Sequence, residues 1–307
     1  MTRVTKAVIP AAGRGTRLRP LTRFTPKELL PIGRKPMLQH AFETHMAAGI
    51  SEFCVITSPE KPQIRDFLAG DWKPPVFPFE KDLRFFHELR QCEITFLTQD
   101  EPIGVADAVG LARDFVGNEP FVCIMPDCIL FSGVSQTRQT LQIFEKHGSH
   151  VIGIIAMRGV DVDRFGNVGL LQTEKLNGNA FQIASLTDKS QEPIEAGPGE
   201  VIHKGFGGGL SLPGFFDLIE AIRPQAKGVI DYVPIHQILI REKKLLGVLL
   251  DGAAFDAGHL LGLAALAVAK ALGAEKTYAV DVRDASLEGL VTRLHGGLES
   301  RLGEGGA

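Results

Sequence analysis

The 307-residue chain lacks several signatures that would assign a chemistry directly, and each absence removes a class of function. Its four cysteines, Cys54, Cys92, Cys123 and Cys128, show no Cys-x-x-Cys spacing. They lie mostly in apolar, strand-like runs and read as small core hydrophobes in a reducing compartment, not as a disulfide framework or a metal site. Lysine and arginine are scattered and the formal net charge is -3, so no basic stripe serves a nucleic-acid groove or an anionic membrane surface. No apolar run is long enough for a membrane span: the most apolar late stretch, Leu245 to Leu272, is broken by Asp251, Asp256 and His259. Met1-Thr2-Arg3 leads straight into a strand-like segment with no room for a signal peptide, so a cytoplasmic location is expected. A Gly-x-Ser-x-Gly elbow, an internal repeat and a low-complexity linker are all missing. His147 and His150 stand three apart with no further ligands clustered nearby, which argues against zinc.

What is present is an ordinary globular balance, 44% hydrophobic and 22% charged, in a chain long enough to bury a sizeable core. Apolar runs at Lys6–Ala12, Glu52–Ser58, Glu93–Gln99, Pro120–Leu130 and His150–Met157 read as buried strands. Between them Met37–Gly49, Pro62–Gly70, Gly104–Val116 and Gln136–His147 carry helical periodicity. Strands alternating with helices predict an α/β, doubly wound, mostly parallel sheet covered on both faces. After about residue 157 the texture changes. Val168–Gln172, Phe181–Thr187 and the Gly-rich run Gly205–Leu212 are strand-like without intervening helices, and helical segments follow at Gly214–Arg223 and Pro234–Arg241. This predicts a smaller α+β subregion laid against the parallel half. Asp284–Leu302 reads as one amphipathic helix in a tail spanning 275–307.

Chemistry concentrates at the start. Val8-Ile9-Pro10-Ala11-Ala12-Gly13-Arg14-Gly15-Thr16-Arg17 runs from a strand into a two-glycine loop followed by Thr and Arg. Such a loop brings backbone N–H groups against a phosphate without Cβ collisions, while basic side chains supply counter-charge. Leu18 occupies the place of a dinucleotide fingerprint's third glycine, and the loop lacks the Gly-Lys-Ser/Thr ending of a P-loop. That disfavours a nicotinamide-dependent dehydrogenase, and taken alone the turn fits a structural bend equally well. Lys27, in Thr25-Pro26-Lys27-Glu28-Leu29-Leu30-Pro31, is held between prolines in a manner suited to placing one ammonium rigidly. Asp127 follows a buried apolar run and Asp256 interrupts another, where an unpaired charge is costly. Two such carboxylates can hold a hard cation between phosphates, and either can instead cap a turn.

Together these segments resemble the sugar nucleotidyltransferases, the nucleotide-sugar pyrophosphorylases, and within them the branch using UTP and glucose 1-phosphate. The likeness runs from about Lys6 to Leu272, strong in the first half and patchy later. It implies a Rossmann-like nucleotidyltransferase core over residues 1–274, with a nucleotide-binding half (1–157) and a sugar-binding half (158–274). It implies that Ala11, Ala12, Gly13, Gly15 and Thr16 wrap the triphosphate, that Arg17 neutralises the departing pyrophosphate and that Lys27 contacts phosphate. Gln99 would read the pyrimidine edge beside Gly104, and Asp127 and Asp256 would bind Mg2+. On the sugar side the resemblance assigns Gly166, Asp188, Lys189 and Gly207. The reactants would be a nucleoside triphosphate and a sugar 1-phosphate, in a homo-oligomer.

The sugar half departs from the family pattern. Glu-Lys-Pro is replaced by Asp188-Lys189-Ser190, with a shorter carboxylate and no proline. Bulky residues after Gly207 are replaced by Gly208 and Gly209, and Gly-x-Glu…Asp survives as Gly228-Val229-Ile230-Asp231, without the glutamate. Such changes alter selectivity more than chemistry. They leave two alternatives: a thymidylyltransferase or another sugar-1-phosphate nucleotidyltransferase, and a catalytically silent nucleotide-binding regulatory paralogue.

Overall fold

The computed structural model describes residues 3–69, 80–158, 170–187, 200–226 and 228–271. The first half contains β1 (Lys6–Pro10), the short hairpin β2 (Pro31–Ile32) and β3 (Lys35–Pro36), α1 (Met37–Met46), β4 (Glu52–Thr57) and α2 (Pro62–Leu68). It continues with α3 (Glu80–Leu89), β5 (Glu93–Thr98), α4 (Val105–Gly110), α5 (Arg113–Val116), β6 (Phe121–Ile124) and β7 (Cys128–Phe131). Then come α6 (Gln136–His147), β8 (His150–Arg158), β9 (Leu170–Asn177), β10 (Ala180–Leu186) and β11 (Val201–Ser211). The last elements are α7 (Phe215–Ile222), α8 (Tyr232–Arg241), β12 (Leu245–Leu249), β13 (Ala253–Asp256) and α9 (Leu260–Ala271).

Side-chain alternation in the first strands dictates the layers. Ala7 and Ile9 of β1 enter one buried cluster, with Phe53 and Val55 of β4, while Val8, Cys54 and Ile56 enter another on the opposite face. Leu38 and Phe42 of α1 and Ile64 of α2 cover the first face; Ala106 and Val109 of α4 and Phe216 and Ile219 of α7 cover the second. Strands buried on both faces are apolar throughout, which is why these runs show no polar alternation.

The nine-stranded sheet has the order β5-β4-β1-β6-β11-β8-β12-β10-β9. β5, β4, β1 and β6 are mutually parallel, as are β8 and β12. β11 inserts antiparallel between β6 and β8, and β10 and β9 add an antiparallel edge. This is the doubly wound, mixed and mostly parallel sheet expected. The cysteines at 54 and 123 are buried in it and all four are free thiols. Among the described residues no helix is long and apolar enough to cross a membrane.

Three local differences bear on the site. The run Pro120–Leu130 is two strands: β6 stays in the main sheet, the chain turns at Met125–Asp127, and β7 pairs antiparallel with β13 as a separate ribbon. The apolar stretch after Leu245 is likewise β12, β13 and α9. The helical segment from Gly104 breaks into α4 and α5, whereas α6 spans the expected Gln136–His147. Ser135 caps α6 by accepting from the Arg138 N–H, and Gly148 ends it at φ 64°. The tail 275–307 and the front of the Val168–Gln172 run lie outside the described residues.

Candidate active site

Because β1, β4, β5 and β6 are parallel, their carboxyl ends share one edge of the sheet. The segments leaving that edge are Ala11–Gly15, Ser58–Lys61, Gln99–Gly104 and Met125–Asp127. Open α/β sheets generally place ligands there. After β1 the Ala11 N–H donates to the Ile56 carbonyl (2.7 Å), tying the loop root to β4. At the crest, a Cβ added to Gly13 would meet nothing within 4 Å, so the loop faces open space. Gly15 turns the chain at φ 63°, its carbonyl accepts from Thr22 Oγ1 (2.8 Å), and short 3-10 turns at Thr16–Leu18 and Lys27–Leu29 follow.

Beneath the loop lies a group that the motif reading did not single out. Lys61 Nζ donates to the carbonyls of Ala11 (2.8 Å) and Gly13 (2.5 Å) and pairs with Glu28 Oε2 (2.9 Å). Both side chains are buried, Glu28 completely. Burial pushes the Glu28 carboxyl up and the Lys61 ammonium down, each offset by attraction to the other. With two loop carbonyls anchored underneath, this pair pre-organises the backbone.

Arg17, Lys27, Asp127 and Asp256, separated by up to 239 positions in sequence, converge beside the loop. Lys27 Nζ lies 2.6 Å from Asp127 Oδ2. A Cβ placed on Gly258 would lie 2.6 Å from Asp127 Oδ2, 2.9 Å from Asp256 Oδ1 and 3.0 Å from Arg17 Nη2, so all three side chains surround that point. The ribbon makes this possible: Asp256 pairs in register with Cys128, and the Ala257 N–H donates to the Asp127 carbonyl (2.8 Å). Burial opposes charge at Asp127, but Lys27 and then Arg17 outweigh it and hold the carboxyl below its usual range. Burial likewise opposes charge on Lys27, and Asp127 and Glu28 reverse it, raising the ammonium above its ordinary value.

Lys204 is a second residue missed from sequence. On β11 it shares a face with Ile202 and Phe206, whose cluster also takes in Cys128, Leu130 and Ala254 of the ribbon. It is 2% exposed, and burial lowers its pKa to about 8 against the pull of Asp256 and Cys128, with Arg17 lowering it further. Since the folded value lies below the unfolded one, keeping the charge costs stability below pH 8, and the cost fades as pH rises beyond it. Lys204→Met is therefore expected to raise the Tm at neutral pH. A Tm at or below the parent's contradicts this.

Gln99 is buried at the end of β5. Its Nε2 donates to the Gly104 carbonyl (3.1 Å) and to Asp107 Oδ2 (2.8 Å), so the two residues assigned to the base lie side by side. Gly104 has φ 134°, and a Cβ there would collide with the Ile230 backbone, so glycine is required. The Gly207 carbonyl accepts from the Met125 N–H (2.8 Å), just before Asp127. Gly208 and Gly209 have a backbone reason of their own: a Cβ on them would strike the carbonyls of Cys123 and Val151 in the flanking strands. Gly166, Asp188 and Lys189 lie outside the described residues.

Residues 6–201 match the family described as nucleotidyl transferase. The chain belongs to that family. UTP–glucose-1-phosphate uridylyltransferase YngB of Bacillus subtilis is 31% identical over 265 residues, covering 85% of this chain and 87% of the relative. Another UTP–glucose-1-phosphate uridylyltransferase of the same organism is 30% identical over 272 residues, covering 85% and 89%. The solved structure of a UDP-glucose pyrophosphorylase complexed with UDP-glucose shares the fold. Its TM-score is 0.76 at 24% identity, with 88% of this chain and 100% of that chain covered. This nucleotidyl transferase thus presents an anchored glycine loop, a convergent charge cluster and the Gln99 amide along a single sheet edge.

Proposed function

We propose that this nucleotidyl transferase transfers the uridylyl group of UTP to glucose 1-phosphate, giving UDP-glucose and pyrophosphate. The observation that carries the reading is the convergence of Arg17, Lys27, Asp127 and Asp256 beside the Lys61-anchored loop. Ala11, Ala12, Gly13, Gly15 and Thr16 cradle the triphosphate, Gln99 and Gly104 hold the base, and Gly207 borders the sugar side. Gly166, Asp188 and Lys189 complete the sugar-phosphate site, so that residues 1–157 serve the nucleotide and 158–274 the sugar, in a homo-oligomeric protein.

The nucleophile is a phosphate oxygen that is already anionic, so the protein needs no strong general base. Arg17 takes up charge on the departing pyrophosphate, and Lys27 stabilises charge as it develops on the phosphates. These contacts strengthen in the transition state, where positioned charges are worth most. Asp127 and Asp256 are hard oxygen donors brought together beside Gly258, and they would hold a divalent cation with phosphates and water filling the remaining positions. Among the described residues no group of three or more His, Cys, Asp or Glu could hold a metal without such help. Mg2+ bound there would supply charge neutralisation between the two substrates' phosphates.

The test is pyrophosphate release by the purified protein with Mg2+, across UTP, dTTP, CTP, ATP and GTP against several sugar 1-phosphates. Release with UTP and glucose 1-phosphate is expected. Silence across the whole grid, from protein that still binds a nucleotide, assigns a regulatory role instead.

A further inference from the structure

The amide of Gln99 is not free to choose its orientation. Its Nε2 has two hydrogens, and the two acceptors in front of it are the Gly104 carbonyl and Asp107 Oδ2, at 3.1 and 2.8 Å. A carboxylate and a carbonyl can only accept, so reversing the amide would set three acceptors face to face. Asp107 is itself fixed. It sits in the first turn of α4 at 8% exposure, and its other oxygen accepts from Arg223 Nη1 at 2.6 Å. Arg223 is held in turn by Glu220. Gly104 abuts the backbone at Ile230, whose N–H donates to the Ile103 carbonyl (2.7 Å) and whose carbonyl accepts from the Ala106 N–H (3.0 Å).

We infer that Asp107 is a positioning residue for base selection: it consumes the donor half of Gln99 and leaves Oε1 as the only hydrogen-bonding atom the amide can offer a nucleotide base. An acceptor at that place reads a ring N–H. Uracil and thymine carry one at N3, whereas cytosine presents a bare ring nitrogen there and sets lone pair against lone pair. A site built around a fixed hydrogen-bonding group discriminates strongly, because the mismatched polar groups are left buried and unpaired. The selection of pyrimidine is therefore set one residue behind the residue that touches the base. The inference rests on the proposed placement of the base at Gln99.

In Asp107→Asn the side chain keeps its shape, but Arg223 donates to the asparagine oxygen and turns the amide NH2 toward Gln99. Gln99 is then pulled two ways, since the Asn NH2 calls for Oε1 while the Gly104 carbonyl still calls for Nε2, and the fixed orientation of its amide is lost. The experiment measures kcat/KM for UTP and for CTP, with glucose 1-phosphate, in the parent and in Asp107→Asn, with a thermal melt of each. The parent is expected to favour UTP by about 10²-fold or more, and the variant to lose at least ten-fold of that ratio. A loss of packing alone lowers both rates together and leaves the ratio standing, which overturns the inference. The parent measurement stands without any variant: CTP used within ten-fold of UTP overturns it as well. A parent that prefers GTP, whose N1–H is also a ring donor, defeats the uridylyl reading while supporting the lock. A parent that prefers ATP defeats both.

Discussion

Replacing Asp127 by asparagine is expected to lower turnover with UTP and glucose 1-phosphate by on the order of 10²- to 10³-fold, the scale of losing a pre-organised transition-state charge. Asp127 stands where the chain leaves the main sheet between β6 and β7, and its position depends on that break. One of its oxygens holds Lys27 at 2.6 Å and also faces the point shared with Asp256 and Arg17. Removing its charge therefore loosens the Lys27 ammonium and withdraws half of the carboxylate pair offered to a cation. Asparagine is the informative change because it keeps an oxygen toward Lys27. Alanine would strand a buried ammonium, which typically costs about 3–5 kcal/mol of stability and confuses the readout. Pyrophosphate release at saturating substrates, beside a melting curve, separates the effects; near-parental turnover in Asp127→Asn contradicts the assigned role. The sign with pH follows from the same pair. The Asp127 value is depressed on folding, so its stabilising contribution is complete above the ordinary carboxylate range and is lost as pH falls through the lower folded value. The Lys27 value is raised, so its contribution persists up to the ordinary lysine range. The pair thus remains charged across neutral pH, whereas burial lowers the Lys204 ammonium to about 8.

Lys61→Met is expected to cost about 3–5 kcal/mol of stability, since it leaves the Glu28 carboxylate buried with its principal partner gone. Adding Glu28→Leu should recover most of that loss, as replacing a buried ion pair by apolar groups often does. It should not recover nucleotide binding, because the carbonyls of Ala11 and Gly13 lose their anchor in either case. Thermal melts and UTP affinity on the two variants check both halves. A double variant with parental melting and parental affinity shows that the loop needs no anchor.

The candidate site was legible in the sequence wherever a residue stands out against its immediate neighbours. The glycine turn after β1, Lys27 between its prolines, and the aspartates interrupting apolar runs all carry local signals, and the structure brings Arg17, Lys27, Asp127 and Asp256 close together. Roles that depend on partners far along the chain left no such mark. Lys61 and Glu28 are 33 positions apart, and nothing local announces that one lies under the other. Asp107 carries no local mark in the sequence, and its partners, Gln99 and Arg223, lie 8 and 116 positions away. Lys204 did leave a trace, a lysine between Ile202 and Phe206 on the buried face of a strand, where a charge needs a reason. Hydropathy could not divide Pro120–Leu130, because a strand that turns out of one sheet into another ribbon stays apolar on both sides of the turn. Gly208 and Gly209 read as lost sugar contacts, yet the proximity of neighbouring backbone is reason enough for both.

The most direct measurement follows the label from UTP carrying 32P at the α-phosphate, incubated with glucose 1-phosphate, Mg2+ and the purified protein. The account predicts that the label leaves UTP for UDP-glucose, one pyrophosphate appearing for each transfer, and that Arg17→Ala and Asp127→Asn suppress both together. Label that stays in UTP while the protein demonstrably binds it, or that emerges in UMP with glucose 1-phosphate unused, contradicts the account.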